Sequence, residues 1–236
     1  MHPQYDRKIN EDEALASNVS VLHRWFPDGS AVLTFQIERK DDDNTYFGHL
    51  SKIDTATKRV KPLVAVAGGQ DVYFDLSPDG NQVVFSASAA GPLGRELDAD
   101  SDRTSLYLYD MTTGKLETLI NRTVTCAKFS PDGRRLLLGV PDKNDDGPSK
   151  IGVMDLKTRK SKTLARDAVL KVGDMMNSVS VYPSWVDDES VIYLSQYAAY
   201  GTAAVNVRLQ SVTIDGQTQT DLQPIIDAGA GAHAAP

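Results

Sequence analysis

The chain has 236 residues, 41% of them hydrophobic and 24% charged, which suits one large all-β domain or two small ones and argues against a disordered chain. Its formal net charge of −7 argues against nucleic acid or an anionic membrane as the main partner. No stretch reaches the ~18 apolar residues of a membrane span, so membrane insertion is not expected, and a single cysteine, Cys126, excludes an internal disulfide and a cysteine zinc site.

Residues 1–17 are polar and charged, with no apolar run of the kind a secretory signal needs. From residue 18 the chain repeats. Trp25-Phe-Pro-Asp-Gly29, Leu76-Ser-Pro-Asp-Gly80 and Phe129-Ser-Pro-Asp-Gly133 are three copies of one turn, and Trp185-Val-Asp-Asp-Glu189 is a degenerate fourth. The copies stand 51, 53 and 56 residues apart. A short apolar strand follows each: Ala31 to Phe35, Gln82 to Phe85, Arg135 to Leu138 and Val191 to Leu194. A second turn recurs later in each unit, as in Tyr107-Leu-Tyr-Asp-Met-Thr-Thr-Gly114 and Val153-Met-Asp-Leu-Lys-Thr-Arg159. Proline presets φ, aspartate hydrogen-bonds locally and glycine accepts positive φ, so both motifs read as tight turns between strands.

Each unit thus holds four strands, a to d, and four such units in series predict an all-β chain: a β-propeller or partial propeller of four four-stranded antiparallel blades. The blades are expected over about 18–66, 70–121, 123–166 and 178–227 of the propeller region 18–227, with an Ala/Gly-rich tail over 228–236. A β-sandwich is the competing architecture, but it needs no turn chemistry repeated four times. The one helical candidate, around Asp167 to Met176, is short and contains Gly173.

Leu76 to Gly80, Tyr107 to Gly114 and Phe129 to Gly133, with Phe26 to Gly29 as a further match, resemble the WD40-like Pro-Asp-Gly repeat family of TolB-type propellers. The likeness covers about residues 18 to 227 and departs from the pattern at Asp187 to Glu189. Such propellers serve as protein-binding platforms, as caps of prolyl-oligopeptidase-like peptidases and as some lyases, so the resemblance implies a fold more than a function. It also implies an exported, periplasmic setting, which nothing in Met1 to Asn18 supports. Four blades in an open arc would expose apolar faces. Closure at four, a homodimer or additional blades are the three solutions.

The extra length of the units falls in the b–c loops, and three are acidic: Asp41-Asp42-Asp43-Asn44, Asp98-Ala-Asp100-Ser-Asp102 and Asp142-Lys-Asn144-Asp145-Asp146-Gly147. Asp142, Asn144 and Asp146 have the alternating oxygen donors and the glycine that Ca²⁺ favours. The closing acid of an EF-hand is missing, since Val153 stands at the twelfth position. Asp98, Asp100 and Asp102 share the spacing, with Arg103 where glycine would sit. Solvated acidic turns are the plainer reading.

No Gly-x-Ser-x-Gly elbow and no His-x-x-x-His pair occurs, so no catalytic residue is assigned. His23 reads as a strand histidine, and Asp75, Asp110 and Asp155 as turn-bonding residues at strand ends. Tyr197 and Tyr200, in the long fourth b–c loop, are candidate contacts for a protein or peptide partner, and such tyrosines also suit a sugar. Tyr182, Trp185 and Tyr193 suit the core, and Cys126 reads as a small buried hydrophobe. The sequence therefore favours a non-catalytic binding scaffold, with the propeller portion of a larger enzyme as the alternative.

Overall fold

The computed structural model describes residues 19–41, 45–69, 72–99, 104–141, 149–172, 179–196 and 207–222. Among them there are nineteen strands and no helix. Those within Met1–Val72 and Ser88–Ser101 form one compact unit, and those within Tyr73–Ala87 and Asp102–Pro236 a second.

The first unit contains blade 1: β1 (Val19–Trp25), β2 (Ala31–Lys40), β3 (Tyr46–Asp54) and β4 (Val60–Gly68), antiparallel in that order. A fifth strand, β7 (Ala89–Gly91), lies along the outer edge of β4, with Ala67 opposite Ala89 and Ala65 opposite Gly91. Gly48 of β3 is required by close approach, because a Cβ there would stand 1.8 Å from the Gln36 carbonyl oxygen.

The second unit holds three blades. Blade 2 comprises β5 (Phe74–Leu76), β6 (Gln82–Ala87), β8 (Ser105–Asp110) and β9 (Leu116–Ile120). Blade 3 comprises β10 (Cys126–Phe129), β11 (Arg135–Val140), β12 (Ser149–Asp155) and β13 (Ser161–Ala168). A two-stranded piece, β14 (Lys171–Val172) with β15 (Val179–Ser180), precedes blade 4. Blade 4 comprises β16 (Ser184–Trp185), β17 (Ser190–Gln196), β18 (Val207–Thr213) and β19 (Gln219–Asp221). The one helical candidate, around Asp167, forms strands and no helix where it is described. β13 runs through Ala168 and β14 begins at Lys171, because the alternating chain of β13 stays in ladder with β12. Residues 173–178 of that segment lie outside the described residues.

Strand alternation builds the core. Leu136 and Leu138 of β11 face blade 2, where they join Val84, Leu106, Leu108, Phe129 and Met154. Leu137, between them, faces blade 4 and packs with Ile151, Val153, Val191, Tyr193 and Val212. Blade 3 is therefore buried on both faces, which is how stacked sheets that cannot fold alone share a core. A second regularity is a register shift in the c–d pair of each of the first three blades. It lies between Leu50 and Ser51, between Leu106 and Tyr107, and between Ile151 and Gly152. The bulged residue on the outer strand is Leu63, Leu119 or Leu164, and such bulges twist an edge and limit self-pairing.

The connections differ by end. Every c–d turn has five residues (55–59, 111–115, 156–160, 214–218), and the a–b turns have five or four (26–30, 77–81, 130–134, 186–189). The b–c segments run from five residues (41–45) through eight (141–148) and ten (197–206) to thirteen (92–104, after β7).

Candidate functional site

The invariant end is held by aspartates. In the a–b turns, Asp79 Oδ1 accepts from Ser77 Oγ at 2.6 Å and from the Asn81 N–H at 3.0 Å. Asp132 Oδ1 accepts likewise from Ser130 Oγ at 2.6 Å and the Arg134 N–H at 2.9 Å. Asp28 takes both the N–H and the hydroxyl of Ser30, and Asp187 the Glu189 N–H and the Ser190 hydroxyl. In the c–d turns, Asp54, Asp110 and Asp155 accept from the N–H three residues on, and Asp215 from the Thr213 hydroxyl and the Gln217 N–H. Backbone and hydroxyl donors hold the carboxyls of Asp28, Asp54, Asp110, Asp155 and Asp187 below the usual range. At Asp79 and Asp215 a hydroxyl leads in the same direction. At Asp132 burial pushes upward and is outweighed by Ser130, Arg134 and Arg135. These carboxylates lock turns.

A second line of polar groups runs along the innermost strands of the second unit. Leu76, Phe129 and Trp185 occupy one repeat position, which makes Asp75, Lys128 and Ser184 equivalent. The Phe129 N–H donates to Asp75 Oδ2 at 3.0 Å, so Asp75 bridges blades 2 and 3, a role its strand-end position did not announce. Asp110 and Asp155 do serve their turns. Lys128 Nζ donates to Ser184 Oγ at 2.8 Å, and Trp185 Nε1 donates to the Lys128 carbonyl at 3.1 Å. Three residues earlier, Tyr73, Cys126 and Tyr182 are equivalent, and the rings of Tyr73 and Tyr182 meet edge-on with centroids 5.0 Å apart. Blades 2 and 4 thus touch across the start of blade 3's inner strand. Cys126 is buried there, and burial pushes its thiol up to about 12. Its role is packing.

A third feature lies between the outermost strands of blades 3 and 4. A groove of about 450 Å³ is lined by Thr163, Leu164, Ala165, Arg166 and Asp167 of β13 and by Gln219 of β19. The Tyr193 hydroxyl donates to Asp167 Oδ1 at 3.2 Å and accepts from Gln219 Nε2 at 2.6 Å. Burial, then the Asp167 carboxylate, push the Tyr193 phenol well above its ordinary value, so it stays a donor.

Of the sequence-predicted site residues, Asp98 is exposed. Asp41 is also described, and its Oδ1 takes the Arg39 Nε–H at 3.1 Å. Asp42, Asp43, Asn44, Asp100, Asp102, Asp142, Asn144, Asp145, Asp146, Tyr197 and Tyr200 lie outside the described residues. Among the described residues no three His, Cys, Asp or Glu side chains gather as a metal-holding cluster. His23 lies exposed on β1. Tyr193 is buried, as expected of a core residue, whereas Tyr182 and Trp185 are half-buried. Sequence reasoning missed the inner-strand line and the groove. The 53- and 56-residue spacing of Asp75, Lys128 and Ser184 was the available signal for the first.

No protein-family model matches the chain, and no curated protein does. Solved structures do. A prolyl endopeptidase superposes with a TM-score of 0.58 and 13% identity over 87% of this chain and 29% of its own. The β-propeller domain of the Trilobed protease from Pyrococcus furiosus, described as having an open velcro topology, superposes with a TM-score of 0.52 and 10% identity, over 81% of this chain and 53% of its own. This chain has a propeller fold, whole or partial. The propeller spans about half of the Trilobed protease propeller chain and less than a third of the prolyl endopeptidase. Another neighbour is an oligogalacturonate lyase from Vibrio parahaemolyticus, with a TM-score of 0.54, 12% identity, 85% of this chain covered and 52% of the lyase. TolB from Acinetobacter baumannii is a looser neighbour at a TM-score of 0.37. At such identities the likeness to the endopeptidase, the Trilobed protease propeller and the lyase shows the fold alone.

Proposed function

We propose that this propeller is a non-catalytic binding scaffold for a protein or peptide partner. The observation that carries the reading is the split between its ends: constant five-residue c–d turns locked by aspartates, and b–c segments that vary from five residues to thirteen. A rigid frame with variable loops at one end is the usual arrangement of a recognition surface. Tyr197 and Tyr200 supply contact area there. Asp142, Asn144 and Asp146, and more weakly Asp98, Asp100 and Asp102, supply oxygen donors through which Ca²⁺ orders the loops.

The test is panning of a displayed random-peptide library against the protein and against a variant with 197–206 replaced by a short Gly-Ser turn. A consensus peptide that binds the parent and loses the variant supports the reading; enrichment that ignores the loops, or none, overturns it. Melting in EDTA and in millimolar Ca²⁺, with Asp146→Ala as control, tests the metal part. A Ca²⁺-dependent rise of several degrees, lost in the variant, is the expected outcome.

A second reading, the propeller portion of a larger enzyme, draws support from the likeness to a prolyl endopeptidase and from the 29% of that chain which is covered. A gene that encodes a Gly-x-Ser-x-Gly domain in the same reading frame would favour it over the first.

A further inference from the structure

We propose that the outer edge of β13 is a docking strand for an extended acidic peptide. The proposal rests on the binding-scaffold reading and names a surface built from residues other than the variable loops. It starts from strand pairing. β13 is laddered to β12 along one side, but on the other it meets β17 only where Ala168 stands opposite Ser195. Over 161–167 its second edge has no ladder partner among the described residues. The equivalent edge of β4 is covered by β7. An open edge offers a row of backbone donors and acceptors, which an incoming extended segment can complete.

The charge on this edge is unusual for an acidic protein. Lys157, Arg159 and Lys160 of the preceding turn with Lys162 and Arg166 of β13 place five cations among residues 157–167, against one carboxylate, Asp167. All five are exposed. Asp167 is already engaged by the Tyr193 hydroxyl. Arg159 pairs with Glu117 at 3.0 Å and Lys162 donates to the Asp215 carbonyl, which leaves Arg166 in the lining of the groove and Lys157 and Lys160 exposed on the turn that leads into β13. The comparable strand of blade 2, β9, carries Glu117 and no cation over its length.

The groove decides what kind of chain fits. It is bounded by the open edge itself, Thr163 to Asp167, and by Gln219 across from it, so a segment lying there runs beside the backbone of β13. Lysines on an edge strand repel a second copy of the same strand. The same charges attract an acidic one, so repulsion and attraction act together to select the partner. A nucleic acid would use the charge but has no means of completing the strand.

The experiment is fluorescence anisotropy with the full chain and a labelled eight-residue peptide of alternating Glu and Val, at low and at physiological salt. Binding is expected, weakened by salt. Lys160→Glu with Arg166→Glu, both exposed, is expected to weaken it by about tenfold or more, with an unchanged melting temperature. A peptide of equal charge with proline at alternate positions lacks the needed N–H groups and is expected not to bind. No binding of the Glu-Val peptide overturns the proposal. So does equal binding of the proline peptide or of a Lys-Val peptide, and so does tighter binding of a single-stranded oligonucleotide. Replacing 197–206 by a Gly-Ser turn is expected to leave this binding intact. That separates failure of the edge from failure of the loop surface.

Discussion

Blades 3 and 4 are built on one plan and differ in what surrounds them. In blade 3 successive residues of the second strand, Leu136, Leu137 and Leu138, are all buried, because a neighbour lies on each side. In blade 4 burial alternates. Val191 and Tyr193 are buried against blade 3, while Ile192 and Leu194, on the other face, are half-exposed. Register makes the positions equivalent, since Phe129 stands opposite Leu136 and Trp185 opposite Val191. The same strand thus reads as a continuous apolar run inside the stack and as an alternating one at its described end. Burial belongs to the position in the stack and not to the repeat.

The largest expected effect tests that contrast directly. Leu137→Ala should cost about 2–5 kcal/mol in urea unfolding, the range for a fully buried leucine, and the equivalent Ile192→Ala roughly half as much or less. Equal costs would mean that blade 4's outer face is as well covered as blade 3's.

Next comes pH. Asp132 in blade 3 and Asp187 in blade 4 both have carboxyls held low by turn donors. A depressed carboxyl stabilises the folded state above the unfolded value of about 3.9. That contribution is lost as pH falls through the lower folded value. Acid titration of the parent should therefore show stability falling below about pH 4, and Asp132→Asn should flatten the fall. Blade 3's turn is also tied to blade 4's: the Asp132 N–H donates to Asp188 Oδ1 at 2.8 Å and Arg135 to the Asp188 carbonyl at 2.9 Å. Asp188→Ala should accordingly weaken the seam without touching either turn's own lock, a loss readable as faster amide exchange at Asp132.

A smaller effect separates the c–d turns. Each contains one left-handed residue, at different places: blade 3 has Arg159 at φ 59°, its N–H bonded to the Asp155 carbonyl, and blade 4 has Gly216 at φ 70°, its N–H bonded to the Thr213 carbonyl. Gly216→Ala should cost about 1 kcal/mol. Arg159→Gly should relieve a similar strain, offset in part by the lost pair with Glu117, for a net gain under about 1 kcal/mol in thermal melting. The smallest test is Cys126, whose thiol is buried and pushed up to about 12. Native protein at pH 8 should resist a disulfide reagent that labels the unfolded chain at once.

The frame was legible because Pro-Asp-Gly and Thr-Gly are local devices, and a turn that needs positive φ or a carboxylate cap announces itself in the residues that supply it. Leu76, Phe129 and Trp185 could be aligned from the sequence for that reason. The seams were not legible. Asp75 resembles a strand-end aspartate, and only the neighbouring blade shows that it serves Phe129. The Tyr73–Tyr182 contact joins residues over a hundred positions apart, set by curvature that no local pattern encodes. The groove depends on which edge of β13 lacks a ladder partner among the described residues, and β17 meets that edge only at Ala168.

The position of β7 bears on how the chain can be cut. Gly68 and Gly69 look like a natural boundary, the end of one repeat and the approach to the next. A break there would strip the first sheet of its fifth strand, since Ala89, Ala90 and Gly91 complete the edge of β4. The shortest piece that keeps this sheet whole runs to Gly91, and it carries β5 and β6 along without β8, the strand that pairs with the other edge of β6. Repeats that are modular to the eye are interleaved in space, so a propeller of this kind can be shortened by a unit only at the expense of two.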